Sequence, residues 1–481
     1  MDLTKEQQSV IECDHRSVLI SAFAGTGKTT TLRAFAEARP RKRALLMVFN
    51  RDAAQTIKRM MPENVDVYTS HSLAFRSVAR SWSNEKVSRS LNALFIVESG
   101  IAKDFERAKY IKDAISEFCF SSALDIETFA AEHYKKRSLR IDEQEFMHGV
   151  RRLWSALIDP GTPVGLHDAY FKLWQMSRPK LRYDVILLDE AQDTNDALLD
   201  VINFQQHAQR VVVGDPHQAI YGFRGAKNIM SLINGQQLYL TESFRFSSPI
   251  AELATDLLTV FKGERKSLKG VAGWKSQVLM PGEKTPEGKK AIICRTNAAV
   301  FAEAAEACEK NERVNVNIPD AALDEIVDAY YIFDGRRSLV KNSLMKKFNS
   351  FIEMLDYAES SGDRELMMRC RVVERYRDKI PGFVQKIRKS HDASAQLTIT
   401  TAHRAKGLEW DHVALCDDFP ELMRGDEPAV SSTDPEDYVL AAEEANLYYV
   451  AMTRARQTLV LNEQLRNFVE WKSEKQADLF A

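Results

Sequence analysis

Cysteine is scarce in this 481-residue chain, and the little there is lies scattered. Cys13, Cys119, Cys294, Cys308, Cys370 and Cys416 fall into no paired ligand spacing, which argues against a zinc ribbon or a disulfide framework and fits free thiols in a reducing compartment. No apolar run reaches the length of a membrane span, and the opening MDLTKEQQSVIECDHRS carries charges where a secretory leader would need an apolar centre. The expectation is a cytoplasmic protein with no membrane partner. Charge of one sign is also lacking: the formal net charge is −2, so a polyanion would have to be met by the local field of a groove. Internal repeats and long low-complexity tracts are absent, and a chain of this length exceeds one hydrophobic core, which predicts about two to four domains.

What is present is a recurring strand signal. SVLISA, ALLMVF, VDVYTS, DVILLDE and RVVVGD come first, followed by KAIICRT, LTITTAH, HVALCDD and TLVLNE. Runs nearly continuous in Val, Ile and Leu, separated by helical patterns, are what parallel strands covered on both faces require, so the fold class is α/β. Two stretches break the rhythm with amphipathic helical periodicity, 84–177 and 310–392. The simplest organisation has two sheet domains, each with a helical insert: 1–83 and 178–239 around 84–177, then 240–309 and 393–470 around 310–392, with a tail at 471–481. Basic residues gather at 134–140, at Arg151 and Arg152 and at 336–347, and acidic ones at 416–438; solvated faces account for each most simply.

The stretch SAFAGTGKTT, Ser21–Thr30, carries the first chemistry. It departs from the phosphate-loop pattern G-x-x-x-x-G-K-[ST] only in Ala22, which stands where the first glycine belongs. Ala24, Gly25, Thr26 and Gly27 form the turn, in which the glycines let backbone N–H groups point inward. Lys28 can reach the β- and γ-phosphates, Thr29 can ligate Mg²⁺, and the following helix directs its positive end at the nucleotide. Further on, VILLDEAQD ends a buried run in Asp189 and Glu190. An acidic pair at a strand end is often only a solvated loop start. Behind a phosphate loop it supplies one carboxylate for Mg²⁺ and a neighbour that orients or deprotonates the attacking water.

Taken in chain order, DEAQD, VVGDPHQAIYGFRGA (212–226), YLTESFRF (239–246), TTAHRAKGLEW (400–410) and LYYVAMTRAR (447–456) resemble the motif series of superfamily 1A DNA helicases of the UvrD, Rep and PcrA type. HDAYFKLWQ (167–175) and GDPHQAIYGFRGA are especially similar to the helicase core of the F-box DNA helicases. The resemblance runs from Gln7 to Arg456 and implies two RecA-like domains, the second with a reduced insert of the kind called 2B. It implies a monomeric, ATP- and Mg²⁺-dependent motor moving 3′→5′ on single-stranded DNA and acting at junctions with duplex. On this resemblance Gln7 reads adenine, Gln218 senses the γ-phosphate, and Arg245 and Arg454 reach it from the second domain. Phe244 stacks on the base and Glu409 contacts the ribose. The strand would lie on Phe49, Thr69, His71, Tyr221, Phe223, Arg224, Thr401 and His403; Lys406 either touches a DNA phosphate or supports its turn. Thr30 occupies a place where relatives commonly carry an arginine beside adenine, which puts a strict preference for ATP in doubt. FNRDAA (49–54) replaces the usual FTNKAA, which weakens Asp52 as a DNA contact and leaves Phe49.

The chain ends EKQADLFA, where Gln476, Leu479 and Phe480 resemble the Q-x-x-L-F peptide that binds a bacterial sliding clamp, with Ala477 where leucine is common. The alternatives are a frayed tail or a helix end on the second sheet; a clamp peptide would imply a bacterial or phage host. Two other functions compete with an unwinding motor. One is a translocase that strips protein filaments from DNA; the other is a nucleotide-gated module that holds DNA or a clamp without travelling.

Overall fold

Nearly every apolar run becomes a parallel strand, and the strands assemble twice. The computed structural model describes residues 3–83, 86, 91–162, 165–222, 233–342, 345–361, 363–390, 392, 394–430 and 440–480, with backbone alone at 476–480. It divides into two compact units, one of residues 1–22 and 27–240, the other of 23–26 and 241–481.

In the first unit β1 (Ser17–Ala22), β2 (Ala44–Val48), β3 (Val65–Thr69), β4 (Val185–Leu188), β5 (Gln209–Gly214) and β6 (Gln236–Leu240) form one sheet in the order β3-β2-β4-β5-β1-β6. All five pairings are parallel. The inner strands β2 and β4 are buried at every position, as their unbroken hydrophobicity requires, while the edge strand β3 alternates buried and half-buried. β5 separates β1 from β4. The helix that starts after β1 and the carboxylates after β4 therefore lie at the carboxyl end of one sheet, about two strand spacings, roughly 10 Å, apart. Between β3 and β4 the chain is helical, and three of its helices, Phe105–Phe120, Ile126–Arg137 and Glu143–Ile158, each start on an aspartate that accepts a backbone N–H of the first turn: Asp104, Asp125 and Asp142. Ile111, Ile115, Phe118, Phe146, Leu153 and Trp154 form their shared core.

The second unit opens with two-residue strands β7 (Glu242–Ser243) and β8 (Lys269–Gly270), which pair with each other. Its main sheet contains β9 (Gln277–Leu279), β10 (Lys290–Cys294), β11 (Val314–Asn317), β12 (Leu397–Thr401) and β13 (Trp410–Leu415), then, after a small ladder of β14 (Met423–Arg424) and β15 (Glu427–Pro428), β16 (Ala455–Val460). The order is β11-β12-β10-β13-β16-β9, again parallel throughout.

The stretch 310–392, expected to be an almost wholly helical insert, also contributes a strand to the second sheet. VNVN at 314–317 is the edge strand β11, its valines buried and its asparagines half-buried, a two-residue alternation too short to stand out among helical patterns. The helices that follow do not form a core of their own. Ile326, Val373, Tyr376, Phe383 and Ile387 share one hydrophobic cluster with Phe301 of the helix Asn297–Glu309 and with Val316 and Ile399 of the sheet. Strand register also brings Cys294 and Cys416 together with Asp418, their ligand atoms within 4.8 Å, a grouping that sequence spacing hides. Asp418 accepts the backbone N–H groups of Arg295 and Thr296 there, and all six thiols are free. Among the described residues no helix is long and apolar enough to cross a membrane.

Candidate functional site

At the carboxyl end of β1 the chain turns through Gly25 and Gly27, both at φ +76°, a left-handed conformation in which any other residue would be strained. The Thr26 hydroxyl donates to the Phe23 carbonyl at 2.9 Å, and Gly27 begins the helix Lys28–Glu37. Lys28 Nζ lies 3.8 Å from Glu190 Oε1, and Thr29 Oγ1 donates to Asp189 Oδ2 at 3.2 Å. Residues 160 positions apart are thus joined by the strand order of one sheet. Thr30, next on the helix, is exposed.

Asp189 is buried, and burial followed by the Glu190 charge raises its pKa above the ordinary carboxylate value; Lys28, the Glu190 N–H and the Thr29 hydroxyl act in the opposite direction. A hard hydroxyl oxygen one hydrogen bond from a carboxylate short of positive charge is a donor set that fits Mg²⁺. Glu190 itself has φ 53°, outside the usual range for a side-chain-bearing residue, so its position is imposed by what surrounds it.

Two residues with no role assigned from sequence surround it. Gln192 is 0 % exposed; its Nε2 donates to Glu190 Oε2 at 2.6 Å and its Oε1 accepts the Asp215 N–H at 3.0 Å. Asp215, equally buried, accepts the His217 N–H on Oδ1 and Gln218 Nε2 on Oδ2, the latter at 2.6 Å. The two glutamines carry their polarity into the core, which a motif reading of DEAQD and GDPHQ passes over.

Gln7 is 4 % exposed, so it is not a surface residue of its helix. It closes a capping box in the helix Lys5–Glu12: Thr4 Oγ1 accepts the Gln7 N–H at 3.1 Å and Gln7 Oε1 accepts the Thr4 N–H at 3.0 Å.

Phe49, His71 and Tyr221, expected track residues of the first unit, converge as well. Phe49, 47 % exposed, stacks on Tyr221 with ring centroids 5.8 Å apart and planes 7° from parallel. His71 stacks on Phe171 at 5.0 Å, and its Nε2 lies 3.1 Å from Asp168 Oδ1, a partner that sequence left unassigned. Thr69 is the last residue of β3 and caps the helix Ser70–Ala74 by accepting the Ser72 N–H. Phe49, His71, Asp168, Tyr221, Asp189 and Glu190 line a single cavity of about 460 Å³.

The second unit repeats the strand-end device. Thr401 ends β12 and caps the helix Ala402–Ala405, whose second residue is His403, as His71 is the second of its helix. Lys406 ends that helix ahead of Gly407 at φ +85°. Three more expected residues meet around Thr453: Arg245 donates to its carbonyl at 3.0 Å and to Glu409 at 2.9 Å, and Arg454 donates to its hydroxyl at 3.2 Å. Arg454 is 1 % exposed and also donates to the carbonyl of Val450. Phe244 lies half-buried just after β7. Phe223 and Arg224 lie outside the described residues, as do the side chains of Gln476, Leu479 and Phe480; the backbone of 471–480, expected as a tail, continues the helix Glu463–Phe480.

Comparison with known proteins agrees with this arrangement. Residues 6–224 match the family model described as an AAA domain, and residues 282–464 the one described as a UvrD-like helicase C-terminal domain. F-box DNA helicase 1 of Gallus gallus is 32 % identical over 97 % of this chain and 50 % of its own length. F-box DNA helicase protein 1 of Schizosaccharomyces pombe is 30 % identical over 96 % and 58 %. A probable DNA helicase of Mycoplasma pneumoniae is 24 % identical over 95 % and 83 %. The chain therefore spans about half the length of the first two relatives, and their eukaryotic sources give the expected bacterial or phage host no support.

Proposed function

Since the chain belongs to the superfamily 1, UvrD-like helicases, we propose that it is an ATP-hydrolysing motor that moves 3′→5′ along single-stranded DNA and opens duplex ahead of it. The observation that carries this reading is the shared cavity: the carboxylates suited to hydrolysis and the rings suited to holding bases line one space within one unit. Parallel rings such as Phe49 and Tyr221 accept any base face, which is what a motor without sequence preference needs.

In the proposed mechanism the N–H groups of Gly25 to Thr29 and the Lys28 ammonium hold the triphosphate. Thr29 and Asp189 would hold Mg²⁺, which supplies charge neutralisation for the phosphate oxygens. Glu190 orients the attacking water and accepts its proton, Gln218 faces the γ-phosphate, and Arg245 and Arg454 stabilise the charge that develops there. Release of that phosphate alters the grip on the strand, with Thr69 and His71 holding it on one unit and Thr401 and His403 on the other.

The test is the ATPase rate with and without single-stranded DNA, for the parent and for Lys28→Ala, beside strand separation on blunt, 3′-tailed and 5′-tailed duplexes. The parent should be strongly stimulated by DNA and open only the 3′-tailed duplex; Lys28→Ala should lose at least 100-fold in rate while remaining folded, about the loss of one phosphate-stabilising donor. Turnover that ignores DNA would instead favour a nucleotide-gated binding module.

A second reading is favoured by one feature. The described helices of 310–392 share the core of the second sheet, leaving no free-standing arm to engage duplex. We therefore also propose that stripping proteins from single strands is a principal output; filament displacement faster than strand separation under one set of conditions would support it. Binding of Gln476, Leu479 and Phe480 to a sliding clamp stays a separate proposal, tested by titrating clamp with the parent and with a chain lacking the last six residues.

A further inference from the structure

Gln192 occupies a position whose geometry is over-determined. Its amide has two ends and each faces a group with only one acceptable partner: the carboxylate of Glu190 needs a donor, and the Asp215 N–H needs an acceptor. The orientation of the amide is therefore fixed by its surroundings. The space is fixed too, since a Cβ added at Gly214 would lie 2.7 Å from Gln192 Oε1 and 3.1 Å from its backbone nitrogen, so only glycine at the end of β5 lets this side chain lie where it does. On the far side Asp215 holds Gln218 Nε2 on its carboxylate. The result is an unbroken hydrogen-bonded line, Glu190 to Gln192 to Asp215 to Gln218, running between the ends of β4 and β5, in which Gln192, Asp215 and Gln218 are buried and Glu190 is half-buried.

We propose that Gln192 is a positioning residue that makes the placement of Glu190 depend on the placement of Gln218. This rests on the reading of Glu190 as general base and Gln218 as the group facing the γ-phosphate. Hydrogen bonds among the buried Gln192, Asp215 and Gln218 transmit displacement because breaking one leaves a polar or charged group without solvent to replace its partner. When Gln218 shifts, Asp215 and its N–H shift with it. Gln192 follows, and the carboxylate of Glu190 gains or loses the Gln192 donor. Tyr221, three residues beyond Gln218 and stacked on Phe49, places the DNA contact on the same short segment, so the line connects the track to the water-orienting carboxylate.

Two substitutions test this. Gln192→Met keeps the shape and removes both hydrogen bonds; it should lower kcat for DNA-stimulated ATP hydrolysis by about 10- to 100-fold, leave KM for ATP within about 2-fold, and reduce the ratio of DNA-stimulated to unstimulated rate. Gln192→Glu restores the acceptor for the Asp215 N–H and can donate to Glu190 only when protonated. Its rate should approach the parent's near pH 6 and fall towards the Gln192→Met value by pH 9, as two carboxylates come to face each other, while the parent varies little over that range. A residue that merely fills space would give neither the pH-dependent rescue nor the loss of stimulation at constant KM. A folded Gln192→Met protein with the parent's kcat and stimulation ratio overturns the inference but not the proposed function, and so does a Gln192→Glu protein whose profile parallels the parent's. A parent chain that turns over no ATP overturns both.

Discussion

Burying one carboxylate against another makes a protein less stable until a cation arrives, and Asp189 is in that position. Its folded-state pKa is raised, first by burial and then by Glu190, so the folded state binds the proton more tightly than the unfolded one. That contribution to stability is complete below the ordinary value of 3.8 and is lost as pH rises through the raised value. Without Mg²⁺, the parent should therefore lose thermal stability over a window that opens near pH 3.8. Asp189→Asn, which mimics the protonated form, should be the more stable protein at pH 7 by roughly 2–4 °C in Tm for each kcal/mol regained, yet should hydrolyse no ATP. Thermal scans from pH 4 to 8 with and without Mg²⁺ check this; adding Mg²⁺ should close the gap in the parent alone. Lys28, Thr29, Asp189 and Glu190 were all legible in the sequence, because phosphate and metal chemistry demand those residue types next to a glycine turn and a strand end. Gln192 and Asp215 were not, because an amide and a carboxylate that bond to neighbours inside the fold look no different from solvated ones until their partners are known.

At the level of elements, the position of Gln7, which we propose reads the nucleotide base, is set by how the first helix starts. Thr4 and Gln7 hold each other through two reciprocal hydrogen bonds, which places the buried Gln7 side chain. Thr4→Ala should cost about 0.5–2 kcal/mol as a lost cap and release Gln7 from its position. The expected kinetic signature is a KM for ATP raised several-fold with kcat unchanged, since an interaction with the base is made equally in ground and transition states. Strands were the most legible elements, their hydrophobic runs being long and nearly unbroken. β11 was not, since four residues of Val-Asn alternation cannot outweigh the helical periodicity on either side. It becomes a strand because the exposed edge of β12 offers it a ladder of backbone partners.

For the whole molecule, the proposed function requires that gripping a strand and hydrolysing a nucleotide be separable on one scaffold. Phe49→Ala removes one face of the stacked pair while leaving the phosphate loop untouched. It should weaken single-strand binding by about 1–3 kcal/mol, roughly 5- to 150-fold, with the slope of log affinity against log salt unchanged, because no phosphate contact is lost. Fluorescence anisotropy with a labelled oligonucleotide across a salt series checks this, and the rate without DNA should stay at the parent's level. The two units use the same device at their strand ends, Thr69 with His71 and Thr401 with His403, although the sequence shows no repeat. The likeness resides in a strand end, a capping threonine and a histidine two residues on, a pattern too short to register against chance.

By itself the sequence determined the parallel α/β class, the phosphate turn with its metal-suited carboxylate and the series of motifs, because each depends on local residue type: apolar runs for buried strands, glycine for positive φ, carboxylates at strand ends. Only the tertiary structure decided which of these groups touch. It put Thr29 against Asp189, gathered Arg245, Glu409 and Arg454 around Thr453, stacked Phe49 on Tyr221, and laid the helices of 310–392 onto the second sheet. Strand order and register, set by the burial of whole faces and not by any one residue, bring distant positions within reach of a hydrogen bond.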